Sequence, residues 1–240
     1  MMNNVNIGGI DISAYQSIDD LIDTSILTPQ GVKPGVAVAI NPEKIMTAKA
    51  DENVMRILQK ATLRYADGIG VSYVMSKRLS SKVARIPGCE LWERLMTRST
   101  ESNVPVFLLG AKEHTVLATR NKLLQQGVNI VGYRNGYFTD QEQQQVIAEI
   151  AASGAQLVSA ALGSPRQELF IFECMKTCPN SFFMGVGGTY DVFTNTVKRA
   201  PYLFRALHLE WLFRLLGQPS RILRQTSLLK YVYYYFANKL

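Results

Sequence analysis

Short apolar segments, most followed by a loop with Gly, Pro or Asn and then a helical pattern, recur along this chain and constrain its fold. The segments are Val36–Ile40, Leu63–Ala66, Val106–Leu109, Asn129–Val131, Leu157–Ala161 and Phe182–Gly185. Buried strands separated by helices of about ten to fifteen residues are typical of parallel sheets covered on both faces. The pattern therefore predicts an α/β fold with a largely parallel sheet and helices on both faces.

The composition agrees with a globular chain of 240 residues, because 47% of the residues are hydrophobic and 19% are charged. Those fractions exclude disorder, collagen and coiled coil. The longest apolar runs, such as Tyr231–Ala237, are shorter than the roughly 18 residues that span a bilayer. Residues 1–13 lack the pattern of a signal peptide, and the three cysteines lack zinc-ligand spacing. A chain of the reducing cytoplasm is expected.

Positive charge is concentrated at the C-terminal end. The net charge is +7, and residues 198–240 hold eight Lys and Arg against one acid. The same stretch carries Trp211 and five of the 11 tyrosines. We therefore expect two parts, an α/β body of residues 1–197 and a basic, aromatic, helical appendage of residues 198–240. Such an appendage favours a polyanionic partner, either nucleic acid or the anionic face of a membrane.

The appendage is predicted to contain two helices. Pro201–Leu216 is one helical pattern, stopped by Gly217 and Pro219, and Ser220 can cap a second helix that runs towards Phe236. The second helix could lie in a membrane interface, with its aromatic side chains at headgroup depth. It could equally be an ordinary C-terminal helix whose aromatic side chains pack on the body.

Functional residues are expected directly after the strands, because ligands of open parallel sheets bind beyond the carboxyl ends of the strands. Four polar loops follow the predicted strands: Ala39–Lys44, Tyr65–Gly70, Leu162–Glu168 and Met184–Asp191. Neither the dinucleotide G-x-G-x-x-G signature nor a P-loop is present. The run Gly185-Val186-Gly187-Gly188 fits a tight turn around an anion better than a dinucleotide site.

Metal chemistry and hydrolytic chemistry have little support in the sequence. The chain has no D-x-D pair for a metal-bound nucleotide diphosphate, and His114 and His208 have no partner at ligand spacing. No Cys–His or Ser–His arrangement suggests a triad. No metal and no cofactor are therefore expected.

Polar side chains in these loops have two interpretations each. Asp67 could be a general base or could cap the next helix, and Asn41 could contact a ligand or cap the helix that starts at Pro42. Ser164-Pro165 repeats that Asn-Pro arrangement of cap followed by first helical residue. Gln167 would then lie in the first turn of a helix whose N-terminus favours phosphate, or would simply be exposed.

At these loops the chain resembles the WecG/TagA/CpsF glycosyltransferase family over nearly its whole length. The matching segments are Tyr65-Ala66-Asp67-Gly68, Arg85-Ile86-Pro87-Gly88, Gly163–Glu168, Gly185–Phe193, Lys198-Arg199-Ala200-Pro201 and Leu209–Leu215. Two further segments, Asn41-Pro42-Glu43-Lys44 and Pro219-Ser220-Arg221-Ile222, favour the branch that serves enterobacterial common antigen synthesis.

The resemblance implies a Rossmann-like sheet, a membrane-associating C-terminal appendage and inverting, metal-independent transfer without a cofactor. The enzyme would be a hexosyltransferase, peripheral on the anionic cytoplasmic face of the inner membrane. It would move N-acetyl-D-mannosaminuronate from UDP to undecaprenyl-diphosphate-linked N-acetylglucosamine, forming lipid II of the antigen. Nucleic acid is not an expected partner, and the oligomeric state, a homo-oligomer included, stays open.

Residue roles also follow from the resemblance. Asp67 matches the proposed general base, and the donor pocket matches Asn41, Arg85 and Gln167, with Gly187 and Gly188 in the glycine turn. Three appendage arginines match residues expected to meet a diphosphate or the membrane: Arg214, Arg221 and Arg224. The chain departs from teichoic-acid members of the family at Ala39, where those members have a Thr.

Two alternatives remain from the sequence alone. A related transferase would use UDP-N-acetylmannosamine with the same type of lipid acceptor. A uronate donor would require a cation near the sugar pocket, and Lys44, Arg85 and Arg166 are all candidates between which the sequence cannot choose. The other alternative is a non-enzymatic membrane or nucleic-acid adaptor that uses the basic, aromatic appendage.

Overall fold

The computed structural model describes residues 3–197, 201, 204 and 222–240. The strands in this part are β1 (Asn4–Ile7), β2 (Ile10–Ser13), β3 (Leu27–Thr28), β4 (Gly31–Val32), β5 (Gly35–Ile40), β6 (Leu63–Ala66), β7 (Val106–Gly110), β8 (Ile130–Arg134), β9 (Leu157–Ala161) and β10 (Phe182–Gly185). The helices are α1 (Ile18–Ser25), α2 (Pro42–Ala50), α3 (Glu52–Lys60), α4 (Ile69–Leu79), α5 (Gly88–Ser99), α6 (Glu113–Gln125), α7 (Gln143–Ala152), α8 (Arg166–Thr177), α9 (Thr189–Phe193) and the C-terminal helix (Ile222–Phe236).

Eight of the described strands form one mixed sheet in the order β1-β2-β6-β5-β10-β9-β7-β8. β1 and β2 pair antiparallel, and every other pairing in this sheet is parallel. Successive side chains of a strand point to opposite faces, so Val36 and Val38 join one hydrophobic cluster and Ala37 joins another. Helices α2, α3, α4, α7 and α8 pack on the first face, and α1, α5, α6 and α9 on the second. The predicted α/β fold is confirmed.

The six predicted strands are all present, with one clear difference in bounds. The segment predicted at Asn129–Val131 is a longer strand, Ile130–Arg134, that begins one residue later. It lies at the edge of the sheet, where Val131 and Tyr133 remain exposed. An edge strand is only half covered, so it does not show the continuous apolar run by which the central strands were recognised.

The β1–β2 hairpin was not predicted. It turns at Gly8 and Gly9, whose φ angles are +61° and +89°. Its buried side chains are Val5, Ile7, Ile10 and Ile12, and exposed polar side chains alternate with them. That period of two indicates a strand with one covered face. The predicted strands were instead short continuous apolar runs, a pattern that this hairpin lacks.

The two predicted Asn-Pro and Ser-Pro helix starts have different outcomes. Asn41 caps α2, because its Oδ1 accepts a hydrogen bond of 2.9 Å from the amide of Lys44, and Pro42 is the first helical residue. The second start is wrong. Helix α8 begins at Arg166, and Pro165 occupies the cap position with no side-chain hydrogen bond. The amide of Gln167 instead donates to the carbonyl of Gly163 at 2.8 Å, so no hydroxyl cap is needed there.

The C-terminal helix (Ile222–Phe236) corresponds to the second helix predicted for the appendage. It packs against α2 and α4, where Tyr231 is buried and its hydroxyl donates to the carbonyl of Gly70 at 3.2 Å. Beyond the helix, Lys49 donates to the carbonyl of Lys239 at 3.2 Å and Arg78 to that of Leu240 at 2.9 Å. One face of this helix therefore packs on the body as an ordinary helix does.

The opposite face of the C-terminal helix is exposed and apolar, with Leu229 at 71% and Phe236 at 77% exposure beside Val232 and Tyr233. No helix within the described ranges is long and apolar enough to cross a membrane. Of the first predicted appendage helix, Pro201–Leu216, only residues 201 and 204 are described. Its predicted stop at Gly217 and Pro219 lies outside the described residues, as does the expected boundary at 197/198 on its C-terminal side.

Candidate active site at the carboxyl ends of the parallel strands

The four polar loops identified in the sequence follow four strands that are neighbours in the sheet, β6, β5, β10 and β9. Because these strands are parallel, their carboxyl ends meet at the same edge. Asp67 follows β6 and Asn41 follows β5. The glycine turn follows β10, and Gln167 follows β9 in the first turn of α8. The fold thus gathers the predicted loops into one site.

Asn41 and Asp67 stand beside each other at this edge. The amide of Asp67 donates to the carbonyl of Ile40 at 3.0 Å, which continues the pairing of β5 and β6 by one residue. A Cβ at Gly68 would lie 2.7 Å from Pro42 Cδ and 3.4 Å from Asn41 Cβ. A side chain at position 68 would therefore push the two loops apart, and glycine is required for the close approach.

The half-buried Asp67 carboxylate also contacts a helix, although not the one expected. Its Oδ1 accepts a hydrogen bond of 3.3 Å from the amide of Gly88, the first residue of α5. The following helix, α4, has Gly68 at its cap position and no side-chain cap. The bond from Gly88 helps to orient the Asp67 carboxylate, which as an ionised group can accept a proton.

Arg85 lies next to the Asp67 loop. The segment before α5 runs along the ends of two strands, because the amide of Ile86 donates to the carbonyl of Ala66 at 2.8 Å and that of Ala84 to Tyr15 at 2.9 Å. Arg85 is half-buried between these two anchored residues. The structure therefore brings the predicted arginine to the end of the strand that carries the predicted base.

Tyr65 is a site residue that the sequence interpretation missed. It stands opposite Ala39 in the pairing of β5 and β6, is fully buried, and points to the same face as Asp67 two residues later. Its hydroxyl has no hydrogen-bond partner in the part of the chain that the structure describes. Burial first, and then the negative charge of Asp67, raise the pKa of Tyr65 well above its usual range. Tyr65 is therefore a potential donor and never a base at neutral pH.

Gln167 is buried rather than exposed, with 5% of its surface accessible. Its Oε1 accepts a hydrogen bond of 3.0 Å from the amide of Gly187, so Gln167 holds the glycine turn. A Cβ at Gly185 would come within 2.6 Å of Gln167 Nε2, whereas one at Gly187 or Gly188 would meet no described atom within 4 Å. The turn consequently presents open space on one side and the Gln167 amide on the other.

Lys44 and Glu168 form an ion pair that the sequence did not predict. Lys44 Nζ lies 2.8 Å from Glu168 Oε1, and the Glu168 side chain is 3% exposed. Burial raises the pKa of the Glu168 carboxyl, but the charge and hydrogen bond of Lys44, together with hydrogen bonds from Gln167 and the backbone, lower the net pKa. The pair joins the first turn of α2 to the first turn of α8 beneath the site.

The three cations that the sequence offered for binding a uronate have different partners in the structure. Lys44 is neutralised by Glu168. Arg166 donates to the carbonyls of Gly136 at 2.9 Å and Phe138 at 3.0 Å and stacks on the Phe138 ring, so it ties the β8–α7 loop to α8. Arg85 lies beside the Asp67 loop, between the anchored residues Ala84 and Ile86.

Three predicted residues belong to the appendage. Arg214 and Arg221 lie outside the described residues, and for Arg224 the helical backbone alone is described. Within the described ranges no group of three or more His, Cys, Asp and Glu side chains could hold a metal ion.

Comparison with known protein families matches residues 5–240 to the Glycosyl transferase WecG/TagA/CpsF family. The match covers both the body and the appendage, and it includes every candidate site residue described above. Members of this family are glycosyltransferases that use a nucleotide-sugar donor and a lipid-linked acceptor. The chain therefore belongs to the WecG/TagA/CpsF glycosyltransferase family.

Proposed function

We propose that this protein transfers N-acetyl-D-mannosaminuronate from UDP to undecaprenyl-diphosphate-linked N-acetylglucosamine with inversion at the anomeric carbon. The proposal rests on one observation above all: Asp67 lies at the shared edge of the sheet between the Asn41 loop and the Arg85 segment. A carboxylate, a polar amide and a guanidinium are the groups that an attack on a sugar diphosphate requires.

In the proposed reaction the acceptor hydroxyl attacks the anomeric carbon while the bond from that carbon to the UDP oxygen breaks. Asp67 takes the proton of the hydroxyl, and the electron pair of the broken bond leaves with UDP. A single displacement of this kind inverts the configuration. Its rate depends on holding acceptor, donor and base in line, which the orientation of Asp67 by Gly88 supports.

The negative charge of the departing UDP needs cations and amides, because no metal takes part in the proposed scheme. Arg85 would meet one phosphate, and the open side of the Gly187–Gly188 turn would accept the other or the ribose. Appendage arginines would complete the neutralisation: Arg214, Arg221 and Arg224. These interactions strengthen when lipid and protein exclude water.

The appendage, proposed as residues 198–240, would hold the enzyme on the anionic cytoplasmic face of the inner membrane. The exposed apolar face of the C-terminal helix supports this, since Leu229, Val232 and Phe236 are uncovered and Lys230 lies beside them. Aromatic and basic side chains on one exposed helix face are typical of interfacial helices. The packed face of the same helix would keep the membrane close to the Asp67 loop through Tyr231 and Gly70.

The test is release of UDP in the presence of EDTA, with undecaprenyl-diphosphate-N-acetylglucosamine in vesicles and either the uronate or the neutral N-acetylmannosamine donor. Faster release with the uronate supports the proposal. Release from the neutral donor alone would assign the protein to the teichoic-acid type of reaction. Reactions without acceptor correct for hydrolysis, and acceptor-independent release with both donors would refute the transferase.

A further inference from the structure

A continuous chain of polar contacts runs beneath the proposed donor site. Lys44 Nζ contacts Glu168 Oε1 at 2.8 Å, Gln167 Nε2 donates to the same oxygen at 3.2 Å, and the amide of Gly187 donates to Gln167 Oε1 at 3.0 Å. The chain links α2, α8 and the turn after β10. The reaction scheme uses the Gly187–Gly188 turn, but it gives no role to Lys44 or Glu168.

Stability alone explains this ion pair poorly. Glu168 is buried, and its Oε2 has no hydrogen-bond partner within the described ranges. Removing a carboxylate and an ammonium from water is costly, and apolar side chains of similar volume are often as stable or more so. On the exposed face of the same helix, Lys176 and Glu173 form a pair that pays no such desolvation cost.

The chain instead fixes the orientation of one amide. An ionised carboxylate only accepts hydrogen bonds and a backbone amide only donates them, so Gln167 satisfies both neighbours in a single orientation. Glu168 therefore directs the Gln167 nitrogen to itself and the Gln167 oxygen to Gly187. Lys44 holds Glu168 ionised and in place, because it lies 2.8 Å from the carboxylate and its charge is the largest of the contributions that lower the pKa of that carboxyl.

We propose that Glu168 and Lys44 are positioning residues that act through Gln167 to set the Gly187–Gly188 turn for the nucleotide-sugar diphosphate. The inference rests on the proposed function, because it assigns that turn to the donor. It also removes Lys44 from the candidates for recognition of the uronate, since an anion next to Lys44 would meet the charge of Glu168 as well.

The first test compares four single variants with the wild type by donor KM, acceptor KM and kcat. Glu168→Gln replaces the acceptor-only carboxylate by an amide that can turn its NH₂ group towards Gln167, and we expect the donor KM to rise by about tenfold to hundredfold. The acceptor KM should stay unchanged. Lys44→Arg keeps the ion pair and should restore most of the donor affinity that Lys44→Met loses. Glu173→Gln, on the same helix and in the partly exposed pair with Lys176, should stay within about twofold of the wild type.

A double variant, Lys44→Met with Glu168→Met, separates positioning from folding. It leaves no uncompensated buried charge, so it should keep the unfolding temperature of the wild type. Its donor KM should nevertheless stay high, because Gln167 has lost its acceptor. A folded double variant with the donor KM of the wild type would overturn the inference, and so would a double variant that fails to fold, which would make the pair a stability element.

Direct binding of UDP, measured by calorimetry, separates the test of the positioning role from the test of the proposed transfer. If the wild type binds UDP but releases none from either donor, the proposed transfer is wrong, and the loss of UDP affinity in Glu168→Gln still tests the positioning role. If the wild type is an active transferase and Glu168→Gln binds UDP and donor as the wild type does, the transfer stands and the positioning role is wrong.

Discussion

Asn41 can serve its helix and the proposed site with different atoms. Its side-chain oxygen caps α2, and the cap makes no use of its side-chain nitrogen. The sequence left helix cap and ligand contact as alternatives, but one side chain at the end of β5 can do both. The two roles are separable because Ser caps helices about as well as Asn does while lacking the amide nitrogen.

We expect Asn41→Ser to unfold within about 0.5 kcal/mol of the wild type and Asn41→Ala to lose about 1 kcal/mol through the missing cap. Both variants should show a large loss in kcat/KM for the donor, because both lack the amide. Denaturant unfolding and initial rates measure the two effects separately. Full activity in Asn41→Ser would restrict Asn41 to capping.

Asp67→Asn isolates the proton transfer. The Asn oxygen can still accept from the amide of Gly88, so folding and the position of α5 should be kept. The variant cannot take a proton, and we expect kcat to fall by about 10²–10⁴ with donor binding retained. Asp140→Asn, exposed and remote, is the matched control. Joint loss of binding and folding in Asp67→Asn would contradict a chemical role.

At the scale of the element, the C-terminal helix has one packed face and one exposed apolar face. The sequence offered membrane contact and packing on the body as competing interpretations of its aromatic residues. The structure divides the residues between the faces, with Tyr231 buried and Tyr233 exposed. Tyrosine has an apolar ring and a polar hydroxyl, so it occurs both in the core and at the surface. Composition alone could therefore not assign each tyrosine to a face.

We expect the double substitution Leu229→Ser with Phe236→Ser to leave the unfolding temperature nearly unchanged, since both side chains are exposed. It should weaken co-sedimentation with phosphatidylglycerol vesicles, because less apolar surface enters the interface. Tyr231→Ala is the contrasting variant and should destabilise the fold by about 3–5 kcal/mol. Unchanged vesicle binding in the double variant would refute the interfacial role of this face.

The central strands were predictable and the partly covered ones were not. Leu157–Ala161 and Phe182–Gly185 are buried on both faces and therefore read as continuous apolar runs with the bounds that the structure has. The β1–β2 hairpin has one covered face, so its apolar residues alternate with polar ones, and β8 is only partly buried along its length. Neither therefore forms a continuous buried apolar run. The edge of the sheet was therefore predicted less well than its centre.

The candidate site was predictable to the level of its loops, because the carboxyl ends of parallel strands converge in any fold of this class. Its internal contacts were not. Gln167 binds Gly187 and Lys44 pairs with Glu168 across long distances in sequence, and neither spacing carries a local signal. Tyr65 was not predicted as a site residue because a tyrosine within an apolar strand is typical of the hydrophobic core.

At the scale of the whole molecule, the buried ion pair should make the stability of the fold depend on pH in the acidic range. The pKa of Glu168 is lower in the folded protein than the ordinary value of about 4.3, so its ionised form stabilises the fold. That contribution is complete above the ordinary pKa and is lost as the pH falls through the folded pKa. The wild type should therefore lose stability relative to the Lys44→Met, Glu168→Met double variant as the pH falls below about 5. Denaturant unfolding at each pH measures the difference, and parallel curves would contradict the lowered pKa.

The docking of the C-terminal helix on α2 and α4 has a consequence for biosynthesis. The surfaces that receive Tyr231 leave the ribosome long before the helix that covers them, so a nascent chain carries an uncovered apolar groove next to Gly70 until translation of the helix is finished. A chain released early would keep that groove open. It would also leave Lys49 and Arg78 without the carbonyls of Lys239 and Leu240, to which they donate in the full chain. Premature termination should therefore yield a product that chaperones and proteases recognise and remove.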